Sequence, residues 1–134
     1  MNYKKRRDEV LSKMEKNSVL VLYSGVGHHV SADEYAPFEA NRNFFYLTGI
    51  RRENMMLILD NANEEPTETL LIEEADPDRE RWMGKKMTVD EAKAQAQIEK
   101  VGFIDTEKSV LNRIMTREDV YNVYFDTYRH DIDD

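Results

Sequence analysis

The chain is 134 residues long, 34% charged and 40% hydrophobic, with a formal net charge of -8 and no cysteine. That length fits one domain around one core, and an anionic surface repels a phosphate backbone, so nucleic acid is not an expected partner. Disulfides, a thiolate nucleophile and Cys-based zinc sites are excluded.

The opening residues give no apolar leader, and no apolar run approaches the roughly 18 residues of a membrane span, so no membrane partner and a cytoplasmic location are expected. Residues 3 to 16 place Tyr3, Val10, Leu11 and Met14 on one helical face, with Lys, Arg, Asp and Glu on the other. The basic run Lys4-Lys5-Arg6-Arg7 is followed at once by Asp8 and Glu9, and reads as a solvated helix face, not a localisation signal. Asn17-Ser18 breaks the helix. Val19 to Tyr23 is a continuous apolar run with β-branched residues, expected as a strand covered on both faces and ended by Ser24-Gly25.

From Val26 to Asn43 the periodicity fails, and the segment reads as a long loop. Phe44 to Leu47 is expected as a second strand whose residues Phe44 and Tyr46 share a packing face, followed by a Thr48-Gly49 turn. Met55 to Leu59 and Thr69 to Ile72 are the third and fourth strands, joined by a turn around Pro66.

Glu73 to Arg81 is a charge run leading into Trp82, Met83 and Gly84. Thr88 with Glu91 forms a capping box for a helix reaching about Ile98, with Gly102 as its stop. A further helix is expected from Glu107 to Met115 with Thr106 as N-cap, then a last strand from Val120 to Phe125 and a polar tail. Strands alternating with helices, some joined by connections too short for parallel crossovers, indicate an α/β fold with a mixed sheet in a single domain, 1–134.

Few residues are arranged for chemistry. His28 and His29, the one adjacent pair of histidines, are followed within six residues by Asp33 and Glu34 and could bind a divalent metal, but adjacent residues of an extended segment point apart and no His-Glu-x-x-His spacing supports them. They read as a polar loop pair. Ser24-Gly25 lacks the flanking glycine of a nucleophile elbow, and Gly25-Val26-Gly27 lacks a dinucleotide fingerprint. Trp82, the single tryptophan, reads either as a half-buried anchor or as a contact for another subunit or domain.

The most specific stretch is Pro37-Phe38-Glu39-Ala40-Asn41-Arg42-Asn43-Phe44-Phe45-Tyr46-Leu47-Thr48-Gly49-Ile50. Together with Arg6-Arg7 to Met14, the Val19 to Leu22 and Met55 to Leu59 strands and Trp82-x-Gly84, it resembles the N-terminal domain of the Xaa-Pro aminopeptidase (aminopeptidase P) and prolidase family, of the creatinase type. Members often carry Glu-Pro after the block, where this chain has Arg52-Glu53-Asn54. The resemblance implies a three-layer α/β/α domain with a ribonuclease-H-like mixed sheet, in which Phe44, Tyr46, Leu47, Thr48 and Gly49 are structural signature positions. It also implies a pita-bread catalytic domain that holds two manganese ions through two Asp, one His and two Glu and releases an N-terminal residue preceding proline.

None of those ligand positions lies in this sequence, so catalytic residues, metal ligands and cofactors are all expected to be none here. The implied partners are the chain's own catalytic domain, other subunits of a homo-oligomer and proline-containing peptides, with Trp82 and Gly84 as candidates for the cleft border or subunit interface. Two other readings compete: a small hydrolase built on His28 or His29, and a free-standing acidic module that binds a peptide or protein at a sheet edge.

Overall fold

The computed structural model describes residues 2–25, 28–29, 35–36, 41–62, 65–74, 87–104, 112–113, 116–118, 120 and 122–127. The chain opens with helix α1 (Tyr3–Lys13), whose N-cap residue Asn2 accepts a hydrogen bond from the Lys5 N–H at 2.9 Å. Then come β1 (Ser18–Tyr23), the short strands β2 (His28–His29) and β3 (Tyr35–Ala36), helix α2 (Arg42–Thr48), β4 (Met56–Asp60), β5 (Thr67–Ile72), helix α3 (Val89–Ala96), β6 (Val101–Phe103) and β7 (Asn122–Thr127).

Five strands form one sheet in the order β6-β5-β4-β1-β7. β4 runs antiparallel to both β1 and β5, while β7 is parallel to β1 and β6 is parallel to β5. The mixed sheet expected from the connection lengths is therefore present. β2 and β3 pair with each other in a separate antiparallel ribbon, inside a segment whose sequence reads as irregular.

Strand alternation sorts the core into two clusters. Leu22, Leu57, Leu59, Leu70 and Ile72 face the helices, packing with Leu11 of α1, Phe44 and Leu47 of α2, and Ala92 and Ala96 of α3. Val19, Val21, Met56, Ile58 and Leu71 face the opposite way and pack with Ile104. Both faces of β1 and β4 are thus covered, which is why their sequences are continuous apolar runs without alternation.

Several expectations need correction. Residues 42 to 48 are a helix, not a strand, so Phe44 and Tyr46 do not share a face: Phe44 is fully buried and Tyr46 is 51% exposed. The helix arises because Asn41 caps its N-terminus, and because Phe44, Leu47 and Thr48, at i, i+3 and i+4, are the residues that face the core. Arg7 is not on a solvated face; it is buried beside Leu11 on the inner side of α1.

Gly102 does not stop α3 but lies inside β6, and the left-handed residue at the end of α3 is Gln97 with φ of 57°. α1 ends at Lys13, and β7 begins at Asn122, two residues later than its expected start. The helix expected at 107–115 falls largely outside the described residues, although positions 112–113 and 116 have helical backbone. The Thr88–Glu91 capping box is present with both of its hydrogen bonds.

Candidate functional site

The Asn41 to Ile50 block is a short helix finished at both ends by its own sequence. The Asn41 side chain accepts from the N–H groups of Asn43 and Phe44 at 2.8 and 3.2 Å, satisfying two donors that the first turn leaves orphaned. At the other end the Thr48 hydroxyl donates to the Phe44 carbonyl and accepts from the Ile50 N–H. Gly49 then adopts φ of 71°, and a methyl group there would run into the Tyr3 ring. Four of the signature residues are therefore positioned by the fold itself: Phe44, Leu47 and Thr48 point inward and Gly49 closes the helix. Tyr46 faces out.

Two adjacent arginines of α1 complete α2 from opposite sides. Arg7 is fully buried and uses all five of its N–H groups. Nε and one Nη2 hydrogen donate to the Glu68 carboxylate at 2.8 and 3.2 Å. Nη1 donates to the carbonyls of Leu47 and Ala96 at 2.8 and 2.6 Å, and Nη2 reaches the Gln97 carbonyl at 2.7 Å. One guanidinium thus serves the C-terminal carbonyls of two helices, α2 and α3, where a cation is favoured by the helix dipole as well. Gln97 also returns the link, since its Oε1 accepts from the Tyr3 and Lys4 N–H groups at the start of α1.

Arg6 lies on the solvent side. Its guanidinium stacks 4.2 Å from the Tyr46 ring centroid and 5.3 Å from that of Tyr3, and it donates to the Tyr46 carbonyl at 2.9 Å. A second stack places Arg51 4.4 Å from the Phe45 ring. Arg42 of α2 and Arg52 after it are also exposed, on a chain of net charge -8. Tyr and Arg on such a surface are the residue types that anchor protein contacts.

This surface contains no nucleophile paired with a base. Sequence reasoning missed Arg6, Arg7, Phe45 and Arg51 as a group, although Arg7 and Leu11 stand four apart on α1 as residues of one face must.

Other candidates contribute little to a site. A groove of about 630 Å³ lies between α1 and the β4–β5 connection, lined by Lys4, Asp8, Leu11, Met14 and Asn61 among others. Its Lys4 ammonium is already engaged by Asp8 at 2.8 Å and Glu68 at 3.3 Å. The hydrogen bond it donates to Asp8, opposed by partial burial and helped by Glu68, holds its pKa above the ordinary lysine value. His28 and His29 are described only as backbone in β2, and Trp82 and Gly84 lie outside the described residues. Among the described residues no group of three or more His, Asp or Glu is placed to hold a metal ion.

Comparison with known proteins agrees with this architecture. The family model described as aminopeptidase P, N-terminal domain, matches residues 3–124. The chain is 28% identical over 113 residues to a Xaa-Pro aminopeptidase of Haemophilus influenzae, covering 84% of this chain but 26% of that protein. It is 29% identical over 114 residues to intermediate cleaving peptidase 55 of Schizosaccharomyces pombe, covering 84% of this chain and 24% of that protein. Among solved structures, a Bacillus anthracis protein assigned as an aminopeptidase P superposes with a TM-score of 0.89 at 31% identity, over 98% of this chain and 32% of that one. Aminopeptidase P from Escherichia coli with the inhibitor Pro-Leu superposes with a TM-score of 0.81 at 20% identity, over 92% of this chain and 28% of that one, a likeness of fold. The chain spans about a quarter to a third of the length of these relatives.

Proposed function

The chain belongs to the aminopeptidase P N-terminal domain family, and from that membership we propose that it is the non-catalytic N-terminal domain of a manganese-dependent Xaa-Pro aminopeptidase. In this reading it contributes to oligomerisation and to the border of the active-site cleft, and the whole protein works in the cytoplasm on peptides with proline in the second position. The observation that carries it is the match over residues 3–124 combined with coverage of 26% of the Haemophilus Xaa-Pro aminopeptidase, which leaves most of such a protein to a second domain.

In this reading the two manganese ions and the hydrolytic step belong to the second domain. What these residues do is hold a rigid surface. Arg7 fixes the ends of α2 and α3, and α2 in turn displays Tyr46, Phe45 and their stacked arginines toward a partner domain or subunit. Trp82 and Gly84 remain candidates for the same border. Among the described residues no helix is long and apolar enough to cross a membrane.

The test is to read the gene beyond codon 134. The proposal requires an open frame of a few hundred codons that supplies two Asp, one His and two Glu as metal ligands; a frame without them would overturn it.

A further inference from the structure

Two arginines at α2 are not explained by the fold. Arg42 opens the helix, where no acidic residue stands in the first turn, and a cation there opposes the helix dipole, so helix stability does not account for it. Arg51 follows the helix with its guanidinium 4.4 Å from the Phe45 ring centroid. Both are exposed, and no ion pair among the described residues includes either one. Arg42, Phe45 and Tyr46, at i, i+3 and i+4, share one stripe of α2, with Phe45 half-buried and Tyr46 exposed.

Stacking prepares this stripe for one kind of partner. A guanidinium laid against a ring keeps its N–H edge clear in its own plane, and that edge matches a carboxylate through two parallel hydrogen bonds. Phe45 holds Arg51 in this way, whereas Arg6, stacked on Tyr46, already donates to the Tyr46 carbonyl. The backbone beneath is fixed from inside, where Arg7 binds the Leu47 carbonyl and Gly49 closes the helix.

We propose that this stripe is the docking surface for carboxylates of the second domain of the same protein, with Arg42 and Arg51 pairing them and the rings of Phe45 and Tyr46 covered by the contact. The inference rests on the reading of the chain as the front of a longer peptidase. Charge argues against a second copy as the occupant: two copies meeting here across a two-fold axis would set arginines against arginines, and each copy carries -8 besides. A separate acidic protein would have to be held by a few exposed ion pairs, each of which contributes little. A tethered domain needs no more than that, because the tether keeps its local concentration high.

The test is hydroxyl-radical footprinting of Phe45 and Tyr46 in the complete gene product and in the 134-residue chain. Both rings are expected to react at least about tenfold more slowly in the complete product, as for a contact that is closed most of the time. Arg42→Glu combined with Arg51→Glu is expected to remove that protection, and Arg42→Lys combined with Arg51→Lys to keep part of it, since charge remains without the planar fork. In the 134-residue chain Arg42→Glu alone is expected to raise the urea midpoint, because an acidic first turn suits the helix. That rise shows that the variant folds, and it separates a docking role from a structural one; a fall would overturn the proposal. So would equal reactivity in the two proteins, protection that survives the Glu pair, or slower reaction in the 134-residue chain as its concentration rises, which assigns the stripe to a second copy. Equal reactivity in a complete product that hydrolyses a Xaa-Pro peptide removes this inference alone, whereas a reading frame without a second domain removes both.

Discussion

Replacing Arg7 by Met keeps the apolar length of the side chain and removes all five donors. The Glu68 carboxylate, whose side chain is 12% exposed, then loses its bidentate partner, and the carbonyls of Leu47, Ala96 and Gln97 lose their side-chain donor. Removing one partner of a buried ion pair costs about 3–5 kcal/mol. Lys4 stays 3.3 Å from Glu68 and offsets part of this, so the lower half of that range is expected. Against a typical total of about 5–15 kcal/mol the loss is large, and for a domain of this size it lowers Tm by roughly 10–20 °C.

Urea denaturation followed by far-ultraviolet circular dichroism measures it, with an unchanged m-value confirming that stability and not compactness has moved. Adding Glu68→Leu to Arg7→Met removes the stranded charge and should return at least about 1 kcal/mol, because an apolar replacement of both partners is far less damaging than the loss of one. A cost below about 1 kcal/mol for Arg7→Met, or no recovery in the double variant, would refute the assignment of Arg7 as the clasp of α2 and α3.

Phe44→Ala and Tyr46→Ala separate helix from strand directly: on α2 the first should cost about 3–5 kcal/mol and the second no more than about 1 kcal/mol from the lost stack with Arg6, whereas similar costs would restore the strand. Gly49→Ala combines a left-handed backbone with a collision against Tyr3 and is expected to lower stability by more than about 1 kcal/mol, read from urea denaturation, with partial rescue by Tyr3→Ala; a neutral substitution would contradict the observed cap. Lys4 has a folded pKa raised above its ordinary value, first by the Asp8 hydrogen bond. Its contribution is therefore fully present below the ordinary lysine range and is lost as pH rises through the raised value. Because the side chain is about half exposed, the expected alkaline loss is under about 1 kcal/mol, measurable as a smaller alkaline drop in Tm for Lys4→Met than for the parent chain.

Strands β1 and β4 were legible because a strand buried on both faces must be apolar throughout, and Val19 to Tyr23 and Met55 to Leu59 are. The α3 capping box was legible because its two hydrogen bonds join the Thr88 and Glu91 side chains to backbone of the same turn. α2 was not, because Phe44-Phe45-Tyr46 carries strong strand propensity and tertiary burial of Phe44, Leu47 and Thr48 overrides it. The decisive local signal was the pair Asn41 and Gly49, an N-cap and a left-handed stop eight residues apart. Gly102 misled for the opposite reason: Gln97 ends α3 in the left-handed region without a glycine, held by the hydrogen bonds of its side chain to α1.

Arg7 was unreadable from spacing alone. Its identity argues for solvent, and only the convergence of two helix C-termini and Glu68 around it makes burial favourable. The family resemblance was legible from the same block, since its Phe, Leu, Thr and Gly are the residues that the helix needs in order to close and pack.

The most direct measurement compares hydrolysis of a Xaa-Pro tripeptide by the complete gene product and by the 134-residue chain, both supplied with manganese. Release of the N-terminal residue by the complete product alone is the predicted result. Turnover by the 134-residue chain above a metal-only blank, or none by the complete product, would contradict the assignment of this chain as the non-catalytic front of a peptidase.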